Sequence, residues 1–230
     1  VPNYPVIDFY DGNYAKKGTV FQFIFTGNVG KVQNLDNVLK GFSFAQKKLP
    51  DFAKLVIVGD GSALSELKVL VRQYNIANVE FTGRLPVVAM PALLAESDVA
   101  IISLKDDPIF ELTVPSKFQA YLRAGKPILC VMKGEVAQIV GKNDLGISVH
   151  PTDIEGIANA MLSMAENSHE GLTKSRTSSR SLLDSIYNRT LIIDKIETSL
   201  CSRGEKYIAC ANSHSHSPSI AILMGTYCGE

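Results

Sequence analysis

The run VPSKFQAYLRAGKPIL, from Val114 to Leu129, places a lysine directly after Pro-Ser at the start of a short amphipathic helix. Pro115 stands just ahead of that helix, Ser116 is a candidate cap, and Lys117 falls in the first turn. A cation there opposes the helix macrodipole, which favours anions at this end. A phosphate held between the ammonium and the free N–H groups of the first turn would reconcile the placement; a solvated lysine would carry only a small penalty. Phe118, Tyr121 and Leu122 supply the buried face, and Gly125 ends the helix.

Three further segments have the composition of ligand-facing turns, each directly after an apolar run: Gly27-Asn28-Val29-Gly30-Lys31, Gly59-Asp60-Gly61 and Gly83-Arg84-Leu85. Glycine permits positive φ and lets a ligand approach the backbone, although it also ends strands for packing reasons alone. GNVGK is not a nucleoside-triphosphate loop, because Phe25 stands where the first glycine belongs and Val32 where the Ser or Thr belongs. The dinucleotide fingerprint fails as well. What remains is a glycine-lined loop ahead of a helix, with the expectation of exposed N–H groups near its dipole. Asp60 reads equally as a turn residue bonding its own backbone and as a ligand contact. Glu111, in the loop before the Lys117 helix, could bond sugar hydroxyls beside a phosphate. Asp106–Pro108 is not the D-x-D of metal-dependent sugar transfer, no motif calls for a metal or cofactor, and the four histidines (150, 169, 214, 216) fall away from these turns.

The elements that must position these residues alternate. Apolar runs at Val20–Gly27, Lys54–Gly61, 78–83, 98–104, 127–132 and 146–150 read as strands. Helical patterns separate them at Asn34–Leu49, 62–75 with Ser62 as N-cap, 90–97, 116–124, 135–141 and 153–167. Buried-type strands joined by helices predict an α/β, Rossmann-like parallel sheet with helices on both faces. Right-handed crossovers then bring the strand C-termini, and the turns above, to one edge. The domain reading is a linker or remnant of a preceding domain at 1–18, a Rossmann-like domain at 19–167, a loop and C-terminal helix at 168–200, and a tail of unclear structure at 201–230. In the third of these, SHEGLTKSRTSSR is expected as a loop or hinge, and SLLDSIYNRTLIIDKIETSL as a helix with an apolar face on Leu182, Leu183, Ile186 and Leu191.

The 230 residues suffice for one substantial core, and 46% apolar content excludes a disordered chain. Lysine plus arginine equals aspartate plus glutamate, 23 each, which argues against nucleic acid as partner. No apolar run approaches the roughly 20 residues of a membrane span. Cys130 lies in a strand, and the spacings of Cys201, Cys210 and Cys228 match no common zinc pattern, so the cysteines suit a reducing cytoplasm.

Taken in order, FIFTGNVGKVQNLDNVLKGF, KLVIVGDGSALSELK, NVEFTGRLP, MPALLAESDVAIISL, VPSKFQAYLRAGKPIL and GISVHPTDIEGIANAM resemble the C-terminal, donor-binding half of glycosyltransferase family 4, of GT-B fold. The PSK form resembles the subgroup that builds capsule, O-antigen and related bacterial surface polysaccharides. The resemblance implies retaining transfer of a sugar from a nucleotide donor, without a metal, to a polysaccharide or lipid-linked acceptor. It places Gly27, Asn28, Val29, Gly30 and Lys31 under the diphosphate and Gly59, Asp60, Gly83, Arg84 and Leu85 around the nucleoside. Pro115, Ser116 and Lys117 would hold the phosphates, and Glu111, with Lys117 named as catalytic, would touch the sugar or ribose. Asn28 and Gln33 stand where many members carry Arg and Lys, and Gln119 and Ala120 stand where a second carboxylate is usual. The acceptor would bind through a first domain outside the match, leaving this chain inactive alone. The implied setting is cytoplasmic, with peripheral association to the inner membrane face left open. A sugar-nucleotide epimerase of GT-B-like fold and a non-catalytic α/β binding module are the competing readings.

Overall fold

The computed structural model describes residues 18–185 and the single positions 193 and 198. Residues 1–17 of the expected linker at 1–18, the tail at 201–230 and the apolar positions Ile186 and Leu191 lie outside the described residues. The chain divides into two compact units, Val1–Asp184 and Ser185–Glu230, and the architecture below is that of the first.

Strands β1 (Gln22–Thr26), β2 (Lys54–Val58), β3 (Val79–Gly83), β4 (Val99–Ser103), β5 (Ile128–Val131) and β6 (Gly146–Val149) form one sheet in the order β3-β2-β1-β4-β5-β6. Every pairing is parallel, with Phe23 opposite both Leu55 and Val99. Helices α1 (Leu35–Lys48), α2 (Leu64–Gln73), α3 (Met90–Glu96), α4 (Pro108–Glu111), α5 (Ser116–Arg123), α6 (Glu135–Lys142), α7 (Ile154–Glu166) and α8 (Ser168–Ser185) complete the described fold. The α/β, Rossmann-like architecture expected from the alternation is the one observed.

Strand residues alternate between the two faces. Phe23, Phe25, Leu55, Ile57, Val99, Ile101, Leu129 and Val131 share one core with Val38, Leu39 and Phe42 of α1, Leu67 of α2 and Ile157 and Met161 of α7. The intervening residues Ile24, Val56, Ala100, Ile102, Ile128 and Cys130 are buried as well, and Tyr121 of α5 reaches Thr26 on that second face. Burial on both faces explains why these strands read as continuous apolar runs.

Three local expectations are corrected. Ser62 does not cap α2: the cap position is Ala63, without a side-chain bond. Ser116 does not cap α5 either, because it is the first helical residue and Pro115 holds the cap position. Residues 168–180, expected as a loop, lie inside α8. Their composition is a poor helix signal, but Ser175, Ser179 and Leu182 fall at helical spacing and are buried, and the Ser175 hydroxyl donates to Leu145 O at 3.4 Å. Tertiary packing of one small-residue face overrides weak propensity here.

The loops at the C-terminal edge are laced together through their backbones. Gly27 N–H donates to Val58 O, Val29 N–H to Asp60 O, Gly59 N–H to Gly83 O and Lys105 N–H to Val32 O, all at 2.9 Å. Gly59 has φ +141°, and a Cβ there would lie 1.8 Å from Gly27 O, whereas a Cβ at Gly83 meets nothing within 4 Å. Gly59→Ala is therefore expected to cost about 3 kcal/mol or more, combining backbone overlap with a strained φ. Gly83→Ala carries only the conformational penalty of roughly 1–2 kcal/mol. Urea unfolding of the two variants checks the difference.

Candidate functional site

Strand order reverses between β1 and β4, where two neighbouring parallel strands send their connections to opposite sides and leave a crevice at their C-terminal ends. Three segments meet there: the β1 turn from Gly27 to Gln33, the β4 loop that carries α4, and the first turn of α5. A cavity lined by Phe21, Val99, Pro127 and Ile147 lies at the opposite, N-terminal ends of the strands and contains none of the candidate residues.

Lys117 occupies the crevice. Its helix is tied to β1 one turn further on, where the buried Tyr121 hydroxyl accepts from Thr26 N–H at 3.0 Å and meets Thr26 Oγ1 at 3.1 Å. Burial pushes the Tyr121 hydroxyl up to about 12, so it stays protonated and serves as a fixed anchor. From that anchor Lys117 reaches across the strand end to the other face of the sheet. Its ammonium lies 3.7 Å from the centre of the Phe25 ring and donates to Gln33 Oε1 at 3.1 Å. No carboxylate pairs with it among the described residues. Desolvation pushes its pKa from 10.5 down to about 7, while the ring face and the amide oxygen both favour the charged form. Gly27, with φ +122°, lies directly above: a Cβ there would be 3.6 Å from Lys117 Nζ.

The remaining predicted residues take different places. The backbone amides of Gly27, Val29 and Gly59 are committed to Val58 O, Asp60 O and Gly83 O, so the expected row of exposed N–H groups in the glycine loop is narrowed at Gly27 and Val29. Its exposed surface is at Gly27 and Asn28, and Val29 and Gly30 are buried beneath. Lys31 turns away to Glu66 on α2, at 2.9 Å, and that bond raises its pKa. Asp60 Oδ1 accepts from Gly61 N–H at 2.7 Å, the local turn contact. Arg84 is exposed and Leu85 half-buried after β3, two strands away from β1. Pro115 and Ser116 sit at the start of α5, beside Lys117. Glu111 ends α4, and its backbone lies so close to Gly134 that a Cβ there would be 2.0 Å from Glu111 O. Its carboxylate makes no bond among the described residues and none to Lys117. Gln119 is buried on α5.

Sequence reasoning missed Phe25, Thr26 and Tyr121 as parts of the site and named Gln33 only as a departure. The placing of every histidine away from this edge is also corrected. His150 follows β6 directly, with Nε2 3.5 Å from Asp106 Oδ2, and Lys133 Nζ lies 2.7 Å from Asp106 Oδ1. Asp106, Lys133 and His150 thus join the ends of β4, β5 and β6. Among the described residues no three His, Cys, Asp or Glu side chains converge as metal ligands, and no helix is long and apolar enough to cross a membrane.

The sheet is a doubly wound parallel one, and at its switch point lies an ammonium that has no carboxylate partner among the described residues. Comparison with known proteins gives the family. The profile described as "Glycosyl transferases group 1" matches residues 6–180, and the chain belongs to that family. Its fold is that of GT-B glycosyltransferases. "Probable glycosyltransferase WbjE" of Pseudomonas aeruginosa is 32% identical over 64% of this chain and 36% of its own length. "Putative colanic acid biosynthesis glycosyl transferase WcaI" of Escherichia coli K12 is 26% identical over 60% of this chain and 35% of its own. The chain thus spans about a third of the length of these curated relatives. Among solved structures, Anabaena Alr3699/HepE in complex with UDP superposes with a TM-score of 0.67 at 17% identity, covering 80% of this chain and 49% of that one.

Tyr121→Phe removes the acceptor of Thr26 N–H from a buried position. It is expected to destabilise the fold by about 1–3 kcal/mol, the cost of a buried unpaired donor, as read from the urea midpoint.

Proposed function

We propose that this chain is the donor-binding part of a retaining glycosyltransferase that moves a sugar from a nucleoside-diphosphate donor to a polysaccharide or lipid-linked acceptor. The observation that carries the reading is the Lys117 ammonium at the switch point of the sheet, which has no carboxylate partner among the described residues. As the bond between the sugar and the diphosphate breaks, negative charge develops on the departing phosphate. A cation already fixed in a partly desolvated crevice stabilises that charge without reorganising. Gly27, having no side chain, leaves the approach to the ammonium open. Glu111 is assigned to the sugar or ribose hydroxyls, and the exposed surface of Gly27 and Asn28 to the diphosphate. The loops at Gly59-Asp60 and Gly83-Arg84-Leu85 are assigned to the nucleoside. The UDP named for HepE and the colanic acid named for WcaI support the donor and the acceptor class. No metal is assigned to the reaction, and the acceptor site is placed in the part of the relatives' length that this chain does not match. On this reading the chain alone holds donor and transfers nothing, and the work is cytoplasmic, at the inner membrane face when the acceptor is lipid-linked.

Epimerisation of a sugar nucleotide draws on His150 beside Asp106. That carboxylate is shared with Lys133, and His150 Nδ1 is already on Thr152 Oγ1 at 2.8 Å, so the group serves better as a surface ionic cluster than as a proton-transfer pair.

Calorimetric titration with UDP, GDP, ADP and dTDP tests the proposal. One diphosphate is expected to bind below millimolar concentration, and Lys117→Ala to weaken it by about tenfold or more, which is 1.4 kcal/mol. Absence of binding by all four up to millimolar concentration would overturn it. The pH dependence follows from the lysine near 7. A bound phosphate favours the ammonium, so binding takes up a proton above pH 7 and affinity falls as pH rises through 8 and 9. Lys117→Ala removes that fall.

A further inference from the structure

Lys117 is held from two sides by groups that orient its ammonium and leave its charge intact. The Phe25 ring covers one side at 3.7 Å, and the Gln33 amide oxygen accepts from another at 3.1 Å. Gln33 is itself fixed. It closes a single helical turn over residues 31–33, its N–H donates to Gly30 O at 3.0 Å, and the neighbouring Val32 O accepts from Lys105 N–H. The amide thus joins the β1 turn to α5 at the point where the strand order reverses. Among the described residues, none of the carboxylates on the surrounding turns and loops pairs with the ammonium: Asp60 and Asp107 accept local backbone N–H groups, Asp106 meets Lys133 and His150, and Glu111 makes no bond, while Lys31 and Lys105 are further cations.

We infer that Gln33 is a positioning residue for the phosphate-binding cation: it aims Lys117 beneath Gly27 and acts on a nucleoside diphosphate through that lysine. This rests on the donor-binding reading above. The chemistry of the amide is what matters. A lysine side chain has four rotatable bonds and three N–H donors, so without a seat its ammonium spreads over many positions. A carboxylate at position 33 would also seat it, but would neutralise the charge and compete with the phosphate. A neutral acceptor orients the cation and leaves its charge for the ligand. The aromatic face does the same from the other side, since it attracts the ammonium and takes no proton from it. Gly27 completes the arrangement, because any side chain there would stand within contact distance of Nζ.

The test compares UDP affinity across Gln33→Met, which keeps the size and removes the acceptor, and Gln33→Glu, which keeps the acceptor and adds a charge. Both variants are expected to keep the urea midpoint of the parent, because position 33 is only half-buried. Gln33→Met is expected to weaken UDP by about threefold to tenfold. Gln33→Glu is expected to weaken it by about tenfold or more, and to move the loss of affinity with pH to higher pH, since the added carboxylate holds the proton on Lys117. A role in packing alone would leave Gln33→Glu, nearly the same shape, with the parental affinity and pH profile. UDP binding by Gln33→Glu within twofold of the parent, or no loss in Gln33→Met, overturns the inference and leaves the donor reading standing. Failure of the parent chain to bind UDP or the other three diphosphates sinks both.

Discussion

An ammonium taken partly out of water without a carboxylate beside it is the constraint around which this edge of the molecule is arranged. Burying a charge is costly unless something nearby compensates, and the usual partner of a buried lysine is an acid. Lys117 has a ring face and an amide oxygen instead. Those contacts recover part of the lost hydration and leave a positive field at the mouth of the crevice. A surface lysine would be fully hydrated and weak toward phosphate, and a salt-bridged one would be neutralised.

The rest of the fold keeps that lysine where it is. The strand order opens the crevice between β1 and β4. Tyr121 anchors the second turn of α5 to the end of β1, so the first turn cannot drift. The backbone lacing among the ends of β1, β2 and β3 makes a rigid rim of the glycine turns. Much of that rim is satisfied internally, which gives the glycines a structural reason: Gly59 is needed because the β1 turn passes where its side chain would be.

The sheet was legible in the sequence because its strands are buried on both faces and its helices have clear apolar periods, as in α1 and α7. Lys117 was legible because it breaks a local electrostatic rule, and a broken rule in an otherwise consistent sequence marks a functional position. Its seat was not. Phe25 and Gln33 come from another part of the chain, and their contact with Lys117 depends on the strand order, which no local pattern records. His150 escaped for the same reason, since Asp106 lies in the loop after β4, two strands away from β6 in the sheet. The 168–180 stretch failed differently: Ser175 and Ser179 have little preference for helix, and only the surface they pack against makes them helical. Two of the amides expected to be free in the β1 turn, those of Gly27 and Val29, are taken up by Val58 O and Asp60 O, again a tertiary effect.

Titration of Lys117 by NMR of the chain labelled at lysine Cε, with assignment by Lys117→Arg, tests the central claim most directly. The account predicts one lysine titrating near pH 7 in the free chain, against 10.5 for an ordinary lysine, and a clear upward move when UDP is added. A Lys117 signal titrating near 10.5 and unmoved by UDP would contradict it, because the ammonium would then be solvated and no part of a donor site.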